Sequence, residues 1–306
     1  MAALPALLLV GALYAIRART LRRQDRPVPG WRVACFAAGL VLIGAASVGL
    51  GDAAGDRLLV HMAEHLVVGD LASLLLVLGL TGPLLAPVLR LKAIDRLRIL
   101  TQPAVALPLW AVNLYLWHVP AVHEAALDSE ALHALQHGLF IALGANVWMP
   151  LFGPLPRPVW FGTVAKLGYI IAVRLIGAVL GNVLTWSGTI FFPAYGQPLS
   201  DQGAAGLLMM VEGSLLTIGL FAWLFLDAAR QADRKQELLD WAQARGIALD
   251  ERRAARAVAA GREQDLRRRL EHGADQHDDP HHHGRDDEDP DEEAERLGLG
   301  AQRVEH

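Results

Sequence analysis

The stretch HMAEHLVVGDLASLLLVLGL, residues 61–80, decides the fold. Preceded by LLV at 58–60, it is apolar over more than 18 residues. About 20 residues at 1.5 Å rise cross a hydrocarbon core of about 30 Å, so the run reads as a membrane-spanning helix. It nevertheless opens on His61, Glu64 and His65 and carries Asp70 partway along. A helix needed only to sit in lipid has no use for these groups, and ionisable residues inside a membrane mark function.

Outward from this stretch the chain divides in two. Of 306 residues 53% are apolar, but the average hides apolar runs up to about residue 226 and a charged remainder. The net charge of −4 is set mostly by that remainder, so it says little about partners and gives no reason to expect nucleic acid. Seven spans fit: 2–17, 31–50, 58–80, 103–119, 131–151, 164–186 and 204–226. The predicted fold is therefore all-α, a polytopic membrane helix bundle with a charged, partly disordered tail.

Charge orients the bundle. Arg17, Arg19, Arg22, Arg23 and Arg26 follow the first span, and Arg90, Lys92, Arg96 and Arg98 the third. Arg157 and Lys166 flank the break after the fifth, and Arg230, Arg234 and Lys235 follow the seventh. The alternate breaks are almost free of basic residues, with only Arg57 in GDAAGDR. Lys and Arg collect in cytoplasmic loops, which predicts an outer N-terminus and a cytoplasmic C-terminus. The basic run after the first span is the reverse of a cleaved signal's charge order, so that span reads as retained. Trp31, Trp110, Trp117, Trp148, Trp160 and Trp186 fall near proposed span ends and are expected as interfacial aromatics.

On this topology His61, His65, His118, His123, His133 and His137 all lie in the outer half of the membrane or the outer loops. His61/His65 and His133/His137 have i, i+4 spacing, which stacks two imidazoles on one helix face as helical metal sites do. The only cysteine, Cys35, lies in an apolar run, so no thiolate cage or disulfide framework exists. Imidazole suits copper, zinc, iron and nickel, and thioethers from Met62, Met209 and Met210 lean the set toward copper, Cu(I) above all. Asp201 could ligate a metal or orient a ligand histidine. Asp70, Arg174 and Glu212 each fall near the middle of a span, where charges are costly and tend to pair. An ion pair between Arg174 and Glu212 or Asp70 is expected.

The motifs HMAEHLVVGDLASLLLVLGLTGPLL, WHVPAVHEAALDSEALHALQHGLFIALGANVWMPL and LSDQGAAGLLMM resemble the CtaG family of cytochrome c oxidase assembly factors, over roughly 58–226. The resemblance implies a bacterial plasma-membrane protein that supplies copper to a haem–copper oxidase. Its partners would be an oxidase subunit in the same membrane and a periplasmic copper donor. Such a protein is a metallochaperone rather than an enzyme. His61, His65, His118, His133, His137 and Asp201 match motif positions. His123 stands where members often carry another residue, Glu64 where Gln is common, and MMVEG replaces a common Met-Trp.

Three other functions compete. HMAEH also fits H-x-x-E-H, the inverted zinc-hydrolase motif, with Glu64 as general base. Two facing histidines could ligate haem. The charges at Asp70, Arg174 and Glu212 could instead serve transport.

Residues 227–273 read as a charged helical cytoplasmic extension, in which LDWAQARGIALDERRA allows a small amphipathic hairpin. The segment 274–306 is acidic, contains His281–His283 and cannot bury enough apolar surface to fold. The triplet is a lesser metal-binding candidate.

Overall fold

The structure, a computed structural model, describes residues 3–91, 98–259 and 261–277. Lys92 and Arg96, used above for orientation, and the His281–His283 segment lie outside the described residues. Every regular element among the described residues is helical. The chain forms two compact units, residues 1–224 and 225–306.

In the first unit, α1 (Ala3–Arg23) and α2 (Gly30–Gly49) lead into the six-residue α3 (Gly51–Asp56). The decisive stretch forms α4 (Leu58–Gly79), a helix with a π-helical segment at Val67–Ala72. There follow α5 (Gly82–Leu89), α6 (Pro103–Trp117), α7 (Pro120–Asp128), α8 (Glu130–Phe152) and α9 (Thr163–Trp186). A short 3₁₀ turn at Pro193–Tyr195 precedes α10, a continuous 45-residue helix from Leu199 to Gln243.

Five helices are long and apolar enough to cross a membrane: α1, α2, α4, α9 and α10. The bent pair α6 and α7 raises this to six. The expected fifth span is present as α8, 23 residues long, but it falls outside this group. His133, Gln136, His137 and Asn146 dilute its apolar character. The fourth span does not run straight on. Val119 is extended, because a residue before proline avoids the helical region, and the chain turns by 72° between Trp117 and Pro120.

Polarity is distributed as lipid requires. Leu8, Leu9, Val41, Val179 and Leu215 are exposed, while His61, Glu64, His65, His123 and Gln136 are buried. The aromatics depart from expectation. Trp31, Trp160 and Trp186 are exposed, but Trp110, Trp117 and Trp148 are core residues. Trp117 can be buried because its indole N–H donates to Asn113 Oδ1 at 3.0 Å.

Helices α2 and α8 both pack along α4. The approach of α8 is closest at Gly144, where a Cβ would run into the carbonyl oxygen of Gly69. Ser73 spans this crossing, its Oγ lying 3.0 Å from Val68 O and 3.1 Å from Ile141 O. Gly144 of α8 thus lets its backbone meet the π segment where a side chain would hold the two apart.

The second unit has a small core of its own. Leu238, Ala254, Ala257, Val258 and Leu266 are buried among the end of α10, α11 (Glu251–Ala259) and α12 (Glu263–His277). Trp241 packs against this core with Arg245 and Arg267 over its ring. This is more than the hairpin expected from sequence: apolar residues spread thinly over three helical segments meet at one point.

Candidate metal centre

The four paired histidines converge near the N-terminal ends of α4 and α8. Within pairs the ring centroids are 4.3 Å apart for His61 and His65, and 4.5 Å for His133 and His137. Across the two helices His61 lies 5.6 Å from His133, and His65 5.2 Å from His137. One ligand atom from each of His61, His65 and His133 can be chosen so that all lie within 4.8 Å of one another. A tetrahedral site with metal–nitrogen distances of about 2.0 Å has nitrogens about 3.3 Å apart. Small side-chain rotations close that difference.

The ring nitrogens are free to ligate. His61 Nε2, His65 Nδ1 and Nε2, His133 Nε2 and His137 Nε2 are buried without hydrogen-bond partners. Each such group costs about 1–3 kcal/mol when left unsatisfied, and a metal ion is a ligand that would engage several of them at once. Glu64 belongs to the same cluster: one carboxylate oxygen is 3.9 Å from His137 Nδ1 and the other has no partner.

The remaining histidines have other partners. His123 lies against His61 with ring centroids 4.8 Å apart and the planes tilted by 58°, with Nδ1 3.3 Å from Trp117 O and Nε2 2.7 Å from the Tyr195 hydroxyl. A carbonyl only accepts, so Nδ1 carries the proton and Nε2 accepts from Tyr195. Burial, reinforced by the Asp201 carboxylate, raises the Tyr195 pKa and keeps this donor protonated. Both nitrogens are satisfied, which makes His123 a wall of the site. His118 likewise donates from Nδ1 to Leu114 O at 2.7 Å, while its Nε2 faces Met62 Sδ at 3.3 Å. His118 is therefore not one of the three converging ligands.

Among the described residues Asp201 makes no hydrogen bond to a histidine. Its carboxylate accepts from Leu59 N at 3.3 Å, at the start of α4, where a negative group also suits the helix dipole. The neighbouring Gln202 received no role from sequence. It ties down the connection before α10, accepting from Phe191 N at 2.7 Å and donating to Thr189 O at 3.1 Å. Tyr195 was also missed. Its signal was an aromatic in the otherwise unassigned loop FFPAYGQP, directly before the motif aspartate.

Deeper in the unit, Asp70, Arg174 and Glu212 line one cavity of about 60 Å³. The expected ion pair is absent among the described residues. Arg174 donates instead to Ser214 Oγ at 2.9 Å and Met210 O at 3.2 Å. Met210 takes part through its backbone, while its side chain packs toward Gly181. Met209 is buried and lines this cavity and a second one beside the histidines.

A family model described as cytochrome c oxidase caa3 assembly factor (Caa3_CtaG) matches residues 12–231. No curated protein and no solved structure matches the chain.

Proposed function

The chain belongs to the cytochrome c oxidase caa3 assembly factor family, and from that premise we propose that it carries copper for assembly of a haem–copper oxidase. Copper is the cargo. His61, His65 and His133 would hold it, with His137 able to replace any one of them during entry or exit. Imidazoles without thiolates give a site that releases its ion more readily than a sulfur cage does. Glu64 would offset the positive charge of the bound ion.

The proposal includes the setting. Seven spans with an outer N-terminus bring the N-terminal ends of α4 and α8 to the outer face of a bacterial plasma membrane, as the arginine-rich breaks require. A periplasmic donor would load the site there. An oxidase subunit in the same bilayer would collect the copper side to side. Residues 227–273 then face the cytoplasm as a helical extension; of the tail expected from 274 on, residues 274–277 continue α12 and the rest lies outside the described residues.

The observation that carries the reading is the group of buried, partnerless ring nitrogens on two facing helices. Zinc suits the same nitrogens, and H-x-x-E-H would make Glu64 a base. Metal content of the purified full-length protein decides between them. The expected result is copper bound by wild type and reduced in His61→Ala/His65→Ala/His133→Ala/His137→Ala, with oxidase copper content falling in cells that carry the variant. Equal copper binding by the two proteins, or stoichiometric zinc with hydrolysis that Glu64→Gln abolishes, would sink the copper reading.

A further inference from the structure

The contact between His118 and Met62 is hard to account for without a ligand. His118 Nδ1 lies 2.7 Å from Leu114 O. A carbonyl has no proton to give, so Nδ1 bears the hydrogen, and in the neutral ring Nε2 holds only a lone pair. That lone pair points at the thioether of Met62, 3.3 Å away, itself an acceptor. Two electron donors face each other with no hydrogen between them. Charging the ring would supply one, but a buried imidazolium is costly, and Asp70, the carboxylate that borders the same cavity, makes no ion pair with it among the described residues.

Both side chains border a small cavity of about 30 Å³, which His65 and Met209 also line. His65 is 6% exposed and neither of its nitrogens has a partner. Met62 is 1% exposed and Met209 8%. Two thioethers and two imidazoles thus border one buried cavity, and the closest pair lacks the hydrogen that would join it. Soft sulfur combined with imidazole selects Cu(I) over zinc.

We propose that Met62, His118 and Met209 form a second, Cu(I)-selective site, distinct from the His61/His65/His133 site and linked to it by His65. It rests on the reading that copper is the cargo. His65 has one nitrogen for each site, so an ion can move between them by ligand exchange. Copper stays Cu(I) throughout, and no electron or reductant is needed. The upper site accepts several metals, and the lower one passes only the metal that tolerates thioether.

The test uses full-length protein in lipid nanodiscs, with His281, His282 and His283 changed to alanine in every preparation to remove tail binding. Cu(I) and Zn(II) are titrated separately, and X-ray absorption reports sulfur at the copper. Residues 227–306 contain neither Met nor Cys, so the tail cannot supply sulfur. Wild type is expected to bind two Cu(I) and one Zn(II) per chain, with sulfur at copper. Met62→Leu, which preserves volume, should bind one Cu(I) without sulfur and keep its Zn(II). His61→Ala/His133→Ala should keep one Cu(I) with sulfur and lose Zn(II). Copper without sulfur neighbours in wild type, or sulfur that persists in Met62→Leu/Met209→Leu, overturns the second site. Zinc retained by His61→Ala/His133→Ala overturns the upper site alone.

Discussion

Less than two turns separate His65 from Asp70 on α4, yet the chain treats the two places in opposite ways. At the histidine end, side chains from two helices gather and leave their nitrogens unpaired. Around Asp70 the charges share a cavity, and Arg174 spends its donors on Ser214 and a backbone carbonyl of α10. The first arrangement brings three possible ligand atoms within 4.8 Å of one another. The second ties α9 to α10. Incomplete satisfaction separates a binding site from a polar brace more clearly than charge does, since the brace carries the greater formal charge.

The sharpest way to break this contrast is to delete the histidines. His61→Ala/His65→Ala/His133→Ala/His137→Ala, combined with Met62→Leu/Met209→Leu to remove the second site as well, should weaken copper binding by more than about a thousandfold, beyond the roughly 10–100-fold cost of losing only a supporting group. Competition against a Cu(I) chelator measures it. Equal affinity would show that the unpaired nitrogens are idle.

Ligand saturation sharpens the same contrast. Copper at about a hundred times its Kd should stabilise wild type by about 2.7 kcal/mol, and should leave the combined histidine and methionine variant unmoved. Thermal unfolding in nanodiscs reads the difference. If both proteins shift equally, copper acts elsewhere.

The brace should behave differently. Arg174→Met removes two hydrogen bonds and leaves Asp70 and Glu212 in the cavity without the cation, at a cost of about 1–3 kcal/mol. Copper affinity should stay within about threefold of wild type. A large loss of affinity would join the two regions into one functional unit.

The smallest effect is expected at the wall of the site. Tyr195→Phe leaves His123 Nε2 without its donor and should destabilise by about 1 kcal/mol, with copper affinity falling less than tenfold. Asn or His at position 195 would test whether any donor suffices there.

Much of this was legible in the sequence, and the limits have physical causes. The i, i+4 spacing put His61 beside His65 and His133 beside His137 before any coordinates. Helical geometry fixes such neighbours. The proline in WHVP marked the end of α6, though not the 72° turn that follows. Contacts between elements were not legible. Nothing local told His123, which finds Tyr195 72 residues away, from His133, which finds no partner for its Nε2. Asp201 drew notice because it is acidic and sits at a helix end; that it accepts from Leu59 N, 142 positions earlier at the start of α4, was not legible. Composition misplaced three tryptophans at an interface because hydropathy cannot see that Asn113 awaits the indole of Trp117. The span expected at 131–151 is present as α8, but His133, Gln136, His137 and Asn146 keep it outside the helices apolar enough to cross a membrane.

The meeting of Gly69 with Gly144 has a consequence for how this chain can change over time. The two helices are pinned at that point, His65 four residues before one glycine and His137 seven before the other. One residue inserted in either interval would swing its imidazole about 100° around the helix axis and shift it about 1.5 Å along it. Point substitutions between ring and glycine are tolerable, but changes of length are not. In other copies of this gene, the spacings from His65 to Gly69 and from His137 to Gly144 should stay constant, while the connections between helices gain and lose residues freely.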